Sequence, residues 1–566
     1  MTGSTTAPTA EADLAVLREH ADEWVRTPIE DKRELLRRLR AATADAAADW
    51  VRQSCLDKGV DPATPAAGEE WMGGPWAVLE TASALIATLT TVVEGRNPLD
   101  GLRVRSLPGG RLGLRVFPVT ASDLALAGFT AHTWLRPGVT LEQARDGAAR
   151  GVRERSGPGR VALVLGAGNV GSIPVLDVLA KLFQDGAVVL LKMSPVNENL
   201  RPVLGRVLAP FVERGFVRIT TGGAEEGTRL MRHPDVAAVH VTGSRDTHDA
   251  VVFGAGAEGA RRRAAREPLL AKPVTSELGG VSPVVVVPGR WSEATLVRQA
   301  RHVATQRLNH SGFNCVATQV VVLPQRWPQA EEFVRLLRAA LREAPWRRAY
   351  YPGAAQRQRA ALDAHPGAEV LGGDSDAPRV LLRDLDPAAP DEPAFTTEYF
   401  APTLGVTRLP GADPGEFLRA AVRFCNERLA GDLGATLLVD PATGRRLGGD
   451  LEEAVAALRY GNVGVNCWVA LAYGIPRAPW GAFPGHDVHD VGSGLGTVHN
   501  ALLLDPAHVE RSVVRGPFHP VPTPAWFVDN RTAHVTTEHL TRFAGAPSRR
   551  VALREVAATL ASAVRG

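Results

Sequence analysis

The sequence predicts an α/β fold with two mostly parallel sheets, and three observations carry that prediction. After Gly159, short apolar runs rich in Val and Leu alternate with helical patterns. The runs at 187–192 and 284–287 are apolar at nearly every position, as strands covered on both faces are. At 566 residues the chain is too long for a single core, so two or three domains are expected.

Residues 1–12 are small and polar, lack an apolar signal core and read as a disordered leader. Thr27-Pro28 starts a helix in which Leu35, Leu36 and Leu39 share a face. The chain stays mainly helical to about residue 98. No run of about 18 apolar residues is free of a charge or a breaker, so no spanning helix is expected. Residues 103–116 read as a hairpin around Pro108-Gly109-Gly110, and 119–158 mix helix and loop signals like an insertion. Then come a strand at 161–166, a helix at 173–184 and a strand at 187–192, with 236–241 and 284–287 continuing the series. A second α/β region opens at 318–323 and runs to about 496. Several prolines follow Pro517, then an amphipathic helix at 551–564. No internal repeat is present.

Charged residues are 22% of the chain and net charge is only +3, which argues against nucleic-acid and membrane partners. Only five of the 64 basic residues are Lys (32, 58, 181, 192, 272), a genomic bias of GC-rich bacteria that makes each Lys noticeable. Cys55, Cys315, Cys425 and Cys467 form no CxxC pair. That spacing speaks against a disulfide framework or a metal site and suits a reducing cytoplasm.

Chemistry enters through Cys315, in Asn309-His310-Ser311-Gly312-Phe313-Asn314-Cys315, with Glu277 before it and Glu398 after it. A thiol nucleophile between two carboxylates supplies the parts for covalent oxidation of an aldehyde. The thiol adds to the carbonyl, a nicotinamide takes the hydride, and a carboxylate activates water. A lone Cys is more often inert core, so the order of the parts carries the argument. Gly166-Ala167-Gly168-Asn169-Val170-Gly171 reads as a glycine-rich phosphate loop between strand and helix, and is set aside as an ordinary dinucleotide fingerprint. Locally Asn169 is also a turn residue, Lys192 a strand-end lysine, Ser244 a helix N-cap and Glu277 a neighbour of a Gly-Gly turn. Arg261–Arg263 reads as a solvated face.

Glu277-Leu278-Gly279-Gly280-Val281-Ser282-Pro283 is the most specific motif. With it stand Lys192, Val241-Thr242-Gly243-Ser244, Glu398-x-Phe400-x-Pro402, Asn466-Cys467 and Gly492-Ser493-Gly494-x-Gly496. In this order, from about 159 to 515, the chain resembles the aldehyde dehydrogenase superfamily. The resemblance implies an aldehyde dehydrogenase-like α/β fold. Its parts would be a nucleotide-binding parallel-sheet domain (1–102 and 119–276), a catalytic α/β domain (277–496), oligomerisation strands (103–118 and 497–516) and a C-terminal extension (517–566). It implies Cys315 as nucleophile, Asn169 as oxyanion donor and Glu277 as deacylating base. Lys192, Gly243, Ser244, Gly279, Glu398 and Phe400 would bind NADP or NAD in a homodimer or homotetramer. Cys425 and Cys467 would be structural, and Pro479-Trp480-Gly481 a packing and turn element.

Four positions depart from the family pattern. Pro-Trp is missing before Asn169, where Gly-Asn-Val resembles the acyl-CoA reductase branch. Phe313 replaces a Gln. Trp480 stands in a motif usually written Pro-Phe-Gly-Gly. Pro195 stands where NAD-preferring members commonly carry Glu, which removes a repulsion against a 2′-phosphate and makes NADP at least as good a ligand as NAD. The leading reading is NAD(P)-dependent oxidation of an aldehyde to an acid. An NADPH-dependent acyl-CoA reductase and a catalytically silent nucleotide-binding homologue are the alternatives.

Overall fold

A computed structural model describes residues 9–120, 123, 126–373 and 377–566. Of the expected leader, residues 1–8 lie outside the described residues, and Ala10–Arg26 is already helix, capped by the Thr9 hydroxyl.

Strands assemble into two sheets. The first has six strands in the order Gly494–Leu495, Val274–Leu278, Val236–Gly243, Val161–Leu165, Val188–Lys192, Val217–Thr220. All its pairings are parallel except the one made by the two-residue strand. Its central strands are buried on both faces, because helices cover both sides of a parallel sheet. The second sheet has eleven strands. Its parallel part runs Asn462–Val465, Gly434–Leu438, Ser282–Val286, Thr318–Pro324, Thr403–Leu409, Pro378–Leu385, with Glu369–Gly373 antiparallel at one edge. At the other end follow Val509–Arg515, Thr130–Leu135, Arg111–Phe117 and Val104–Leu107.

Three expectations are corrected here. Residues 284–287 do not continue the first series: Ser282–Val286 pairs with Gly434–Leu438 and Thr318–Pro324, so the second sheet opens there and not at 318. The change of sheet takes place over Gly279–Val281, between strands ending at Leu278 and starting at Ser282. Residues 119–158 are no insertion outside the sheets, since Thr130–Leu135 pairs on both sides and is followed by the helix Leu141–Gly147 with its Thr140–Gln143 capping box. The strands expected to join subunits pair within this chain. Val509–Arg515 is interior, with Asn462–Val465 along one edge and Thr130–Leu135 along the other, so neither edge is open to a partner. The hairpin around Pro108-Gly109-Gly110 forms as read, and Val104–Leu107 is its edge strand.

A fourth correction concerns the helical N-terminal region. The stretch Pro65–Val93 is long and apolar enough to cross a bilayer by length and composition, because Glu80 is its only charge after Glu70. Here 56% of it is buried inside the chain, against the long helix Ile29–Lys58 and the C-terminal helix Ala533–Ala544. Ala10–Arg26 docks on the first sheet through Trp24. That indole packs edge-on to Phe183 and Phe211, tilts against Phe216, and donates to Leu182 O at 3.0 Å. Trp24→Ala should therefore cost about 3–5 kcal/mol, read as a lower urea midpoint with an unchanged slope.

Candidate active site

Cys315 stands at the end of a loop that a buried arginine holds in shape. The helix Glu293–Leu308 stops at Asn309, and His310, Ser311 and Gly312 follow with φ of 49°, 57° and 83°. Only Gly takes this conformation without strain, and a Cβ on Gly312 would meet the Ala401 backbone at 3.0 Å. Arg307 clamps the loop, donating to Gly312 O at 2.7 Å, Thr318 O at 3.1 Å and Thr403 O at 3.2 Å. The next strand starts at Thr318, so Cys315 lies at the sheet's end. Of the four cysteines it alone is half-exposed, while Cys55, Cys425 and Cys467 are buried. Burial pushes the Cys467 thiol up to about 12 and Cys425 higher. Both are inert by position, as a structural role requires.

Glu277 comes from the other sheet, close enough for its charge to be felt at the Cys315 thiol. Burial is the main cause that raises Glu277 to about 7, and the Trp480 indole N–H opposes it by donating to Oε1 at 3.2 Å. Burial, then the Glu277 charge, push the Cys315 thiol well up, so the pair rests as a thiol beside a carboxyl near its midpoint at neutral pH. Strand pairing fixes the Glu277 backbone: Gly494 sits opposite it, with φ 141° and room for no Cβ, since one would meet Ser276 O at 2.2 Å. The Gly492–Gly496 motif is thus the strand that pins the base. Ser493 adds a bond from its hydroxyl to Gly279 O at 3.0 Å.

Asn169 reaches the same loop. Its amide donates to Phe313 O at 3.1 Å, and its own backbone carbonyl accepts from Lys58 Nζ at 2.9 Å and Tyr350 Oη at 3.1 Å. Lys58 is buried in an ion pair with Glu70 at 2.7 Å and lies 3.3 Å from His310 Nδ1. Glu69 accepts from the His310 N–H at 2.7 Å and pairs with Arg347. One buried network therefore joins the oxyanion candidate to the loop that carries the nucleophile. The stretch 166–171 does satisfy G-x-G-x-x-G in spacing, which corrects the reading that set it aside. Its glycines nonetheless serve protein packing: a Cβ on Gly168 would meet Val196 Cβ at 2.6 Å, and one on Gly171 the Trp50 indole at 2.8 Å.

The remaining predicted residues are spread over both sheets. Lys192 ends its strand with its ammonium buried and one long bond, to Met193 O at 3.4 Å. Burial lowers its pKa, while Glu198 and Glu226 pull it back up. Gly243 ends the strand two places away, across Val161–Leu165, and the Ser244 hydroxyl caps the helix Arg245–Phe253, accepting from Thr247 N at 3.2 Å. A Cβ on Gly279 would fall 2.0 Å from Glu398 Oε1, and Glu398 accepts from the Gly280 N–H; burial, then Glu277, raise it to about 8. Phe400 joins Phe313, Tyr350 and Tyr351 in an aromatic cluster with centroid separations of 4.9–6.3 Å. Phe313 is the buried centre of that cluster, and so its replacement of a Gln supplies packing.

Comparison with known proteins agrees with this geometry. Residues 163–355 match the profile described as the aldehyde dehydrogenase family. Human aldehyde dehydrogenase family 3 member B1 is 27% identical over 326 residues, 53% of this chain and 62% of that protein. The family 3 member A2 enzyme of Macaca fascicularis is 24% identical over 47% of this chain and 52% of its own length. Over residues 163–355 the chain is thus similar to the aldehyde dehydrogenase family. It matches only about half to three fifths of the length of these curated relatives. Solved structures extend the likeness of fold over nearly the whole chain. Aldehyde dehydrogenase C of Pseudomonas syringae, in complex with NAD+ and octanal, covers 91% of it with a TM-score of 0.59 at 17% identity, and is itself 90% covered. Betaine aldehyde dehydrogenase of Staphylococcus aureus, in complex with NAD+, covers 90% with a TM-score of 0.58 at 14% identity, and is 87% covered.

Two residues of the site escape a reading of the sequence alone. Trp480 was read as packing and is the hydrogen-bond donor to Glu277. Lys58 was marked only by the scarcity of lysine, which was the usable signal. Lys58→Met should leave Glu70 buried without its partner and destabilise the protein by about 3–5 kcal/mol. Lys58→Met with Glu70→Met should restore much of the stability in denaturant titrations but not the turnover, because the Asn169 carbonyl still lacks its anchor.

Proposed function

We propose that this protein oxidises an aldehyde to a carboxylic acid with NAD or NADP as hydride acceptor. The observation that carries the reading is the convergence on one loop: the Asn169 amide bonds Phe313 O two residues before Cys315, and the charge of Glu277, held by Trp480, is felt at the Cys315 thiol. Glu277 takes the thiol proton as Sγ adds to the carbonyl carbon, which relieves the cost of forming a buried thiolate. The growing oxyanion is met by the Cys315 N–H and by the Asn169 amide hydrogen left over from Phe313 O. A bound nicotinamide would supply the hydride acceptor for the carbonyl carbon. Once its first proton has passed to solvent, Glu277 draws a second from water as the water oxygen attacks the thioester carbon; the acid leaves, and the departing sulfur takes that proton back to restore the thiol. That last step separates this reading from the acyl-CoA reductase, which needs no such base.

The residues fit a nicotinamide dinucleotide. Lys192 has a buried ammonium with hydrogens to spare for ribose hydroxyls, and the helix start at Ser244 suits a pyrophosphate. Glu398, held against Gly279, would take the second ribose. Pro195 removes one carboxylate, which favours NADP at least as much as NAD, while Glu198 and Glu226 keep negative charge around Lys192. The same reading includes a cytoplasmic homo-oligomer acting on a small aldehyde, in keeping with four unpaired cysteines.

Cys315→Ala should abolish aldehyde oxidation while cofactor binding and the melting curve stay near wild type; retained turnover would overturn the assignment. Glu277→Gln should slow acid formation by about 10²–10⁴-fold and let acyl-enzyme accumulate, visible by mass spectrometry of the quenched protein. Because Glu277 works as an anion and sits near 7, turnover should rise with pH through neutrality and level above it. Trp480→Phe removes the N–H that favours the anion, so that limb should move to higher pH.

Glu226→Gln should raise the affinity for NADP relative to NAD severalfold, measured by fluorescence titration of both cofactors. An unchanged ratio would show that the field at Lys192 does not set the preference.

A further inference from the structure

The antiparallel end of the large sheet gathers positive charge that the oxidation does not use. Cross-strand register puts Arg105, Arg115, His132 and Arg515 on one face of four adjacent strands. Arg105 lies opposite Gly113, Arg115 opposite His132, and Val513 and Arg515 opposite His132 and Thr130. Residues two apart on a strand share a face, and opposite residues are near neighbours. One carboxylate answers them: Glu452, on the helix Gly449–Ala457, lies 2.8 Å from Arg515 Nη2 and 3.8 Å from Arg105 Nη2. Arg511 shares the face but is already satisfied by Glu510 and by the carbonyls of Val455, Ala456 and Leu458. Three guanidinium groups against one carboxylate leave two positive charges uncompensated.

Their hydrogen-bonding capacity is also unspent. Nε of Arg105, Arg115 and Arg515 and Nδ1 of His132 are shielded from solvent and reach no acceptor within bonding geometry, while Nη2 of Arg105 and Arg515 face only Glu452. Buried donors of this kind call for a partner. The outer parts of the side chains stay reachable, with Arg105 40% and Arg515 22% exposed. Burial first, then Arg105, Arg515 and Arg115, hold His132 down at about 4.

We propose that this face binds a small phosphate dianion, as inorganic phosphate or a phosphate monoester, held by Arg105, Arg115 and Arg515 with His132 beside them. A phosphate group carries about −1.5 to −2 charges near neutral pH, which matches the local excess. Guanidinium forks fit two phosphate oxygens at a time, which a lysine or a chloride site does not require. The arriving anion offsets the three guanidinium charges that keep His132 neutral, so the His132 pKa rises on binding. The dianion itself is lost below its second pKa of about 6, so binding is strongest above that pH and weakens as pH falls.

The test is calorimetric titration of the full chain with inorganic phosphate, phenyl phosphate and chloride, with the His132 imidazole followed by NMR. Saturable binding of either phosphate but not chloride is expected, with a higher His132 pKa in its presence. The tighter of the two phosphates identifies the form recognised. Arg115→Gln and Arg515→Gln should each weaken binding by about tenfold or more. Glu452→Gln should strengthen it, and Arg38→Gln, an exposed arginine paired with Glu213, should leave it unchanged. No saturable binding and an unmoved His132 titration would overturn the proposal, as would Arg115→Gln binding like wild type. A dissociating oligomer in Arg115→Gln, with no phosphate binding in wild type, would assign the face to a second copy and overturn it too.

Discussion

Within five residues the chain leaves the six-stranded sheet with Glu277 and enters the eleven-stranded sheet at Ser282. Everything at the site depends on that short crossing. It holds a carboxyl from one sheet near a thiol from the other, with Gly279 and Gly280 too small to keep Glu398 away. Any displacement of one sheet against the other would separate acid from thiol, and so the crossing is pinned from several sides. Gly494 pairs with Glu277, the Ser493 hydroxyl reaches Gly279 O, and Val281 N donates to Ala430 O at 2.7 Å.

Electrostatics at the crossing is dominated by burial. Glu277, Glu398 and Cys315 are all pushed towards their neutral forms, and each ionised carboxyl pushes the others further. Trp480 tilts this balance towards an anion at Glu277, while Arg307 and Arg357 do so at Glu398. The opposite wall is built differently. Lys58, Glu69, Glu70, His310 and Arg347 form a closed set of buried charges whose products are two fixed backbone groups, Asn169 O and His310 N. Ion pairs this deep gain little net stability, and their use here is to set position.

Much was legible without coordinates because the relevant signals are local. Apolar runs showed the strands, Pro108-Gly109-Gly110 showed the hairpin, and the motif order brought together Cys315, Glu277, Asn169 and the proposed cofactor residues. The exceptions have a common cause. Ser282–Val286 is as apolar as the strands before it, and nothing in its composition says which sheet it joins. Thr130–Leu135 looked like inserted chain because its partners, Arg111–Phe117 and Val509–Arg515, are distant in sequence on one side. Pro65–Val93 is apolar for the same reason a spanning helix is, and only its neighbours decide between the two.

By itself, then, the sequence determined the α/β class, and residue type and order singled out Cys315 and the residues proposed to act with it. Tertiary structure alone decided the sheet each strand joins, because pairing depends on long-range register. It also decided that Trp480 donates to Glu277, that Lys58 anchors Asn169 from 111 residues away, and that four strands bring Arg105, Arg115, His132 and Arg515 onto one face. Contacts between residues hundreds of positions apart leave no periodicity in the chain. They exist only once the sheets have closed and water has been driven from between them.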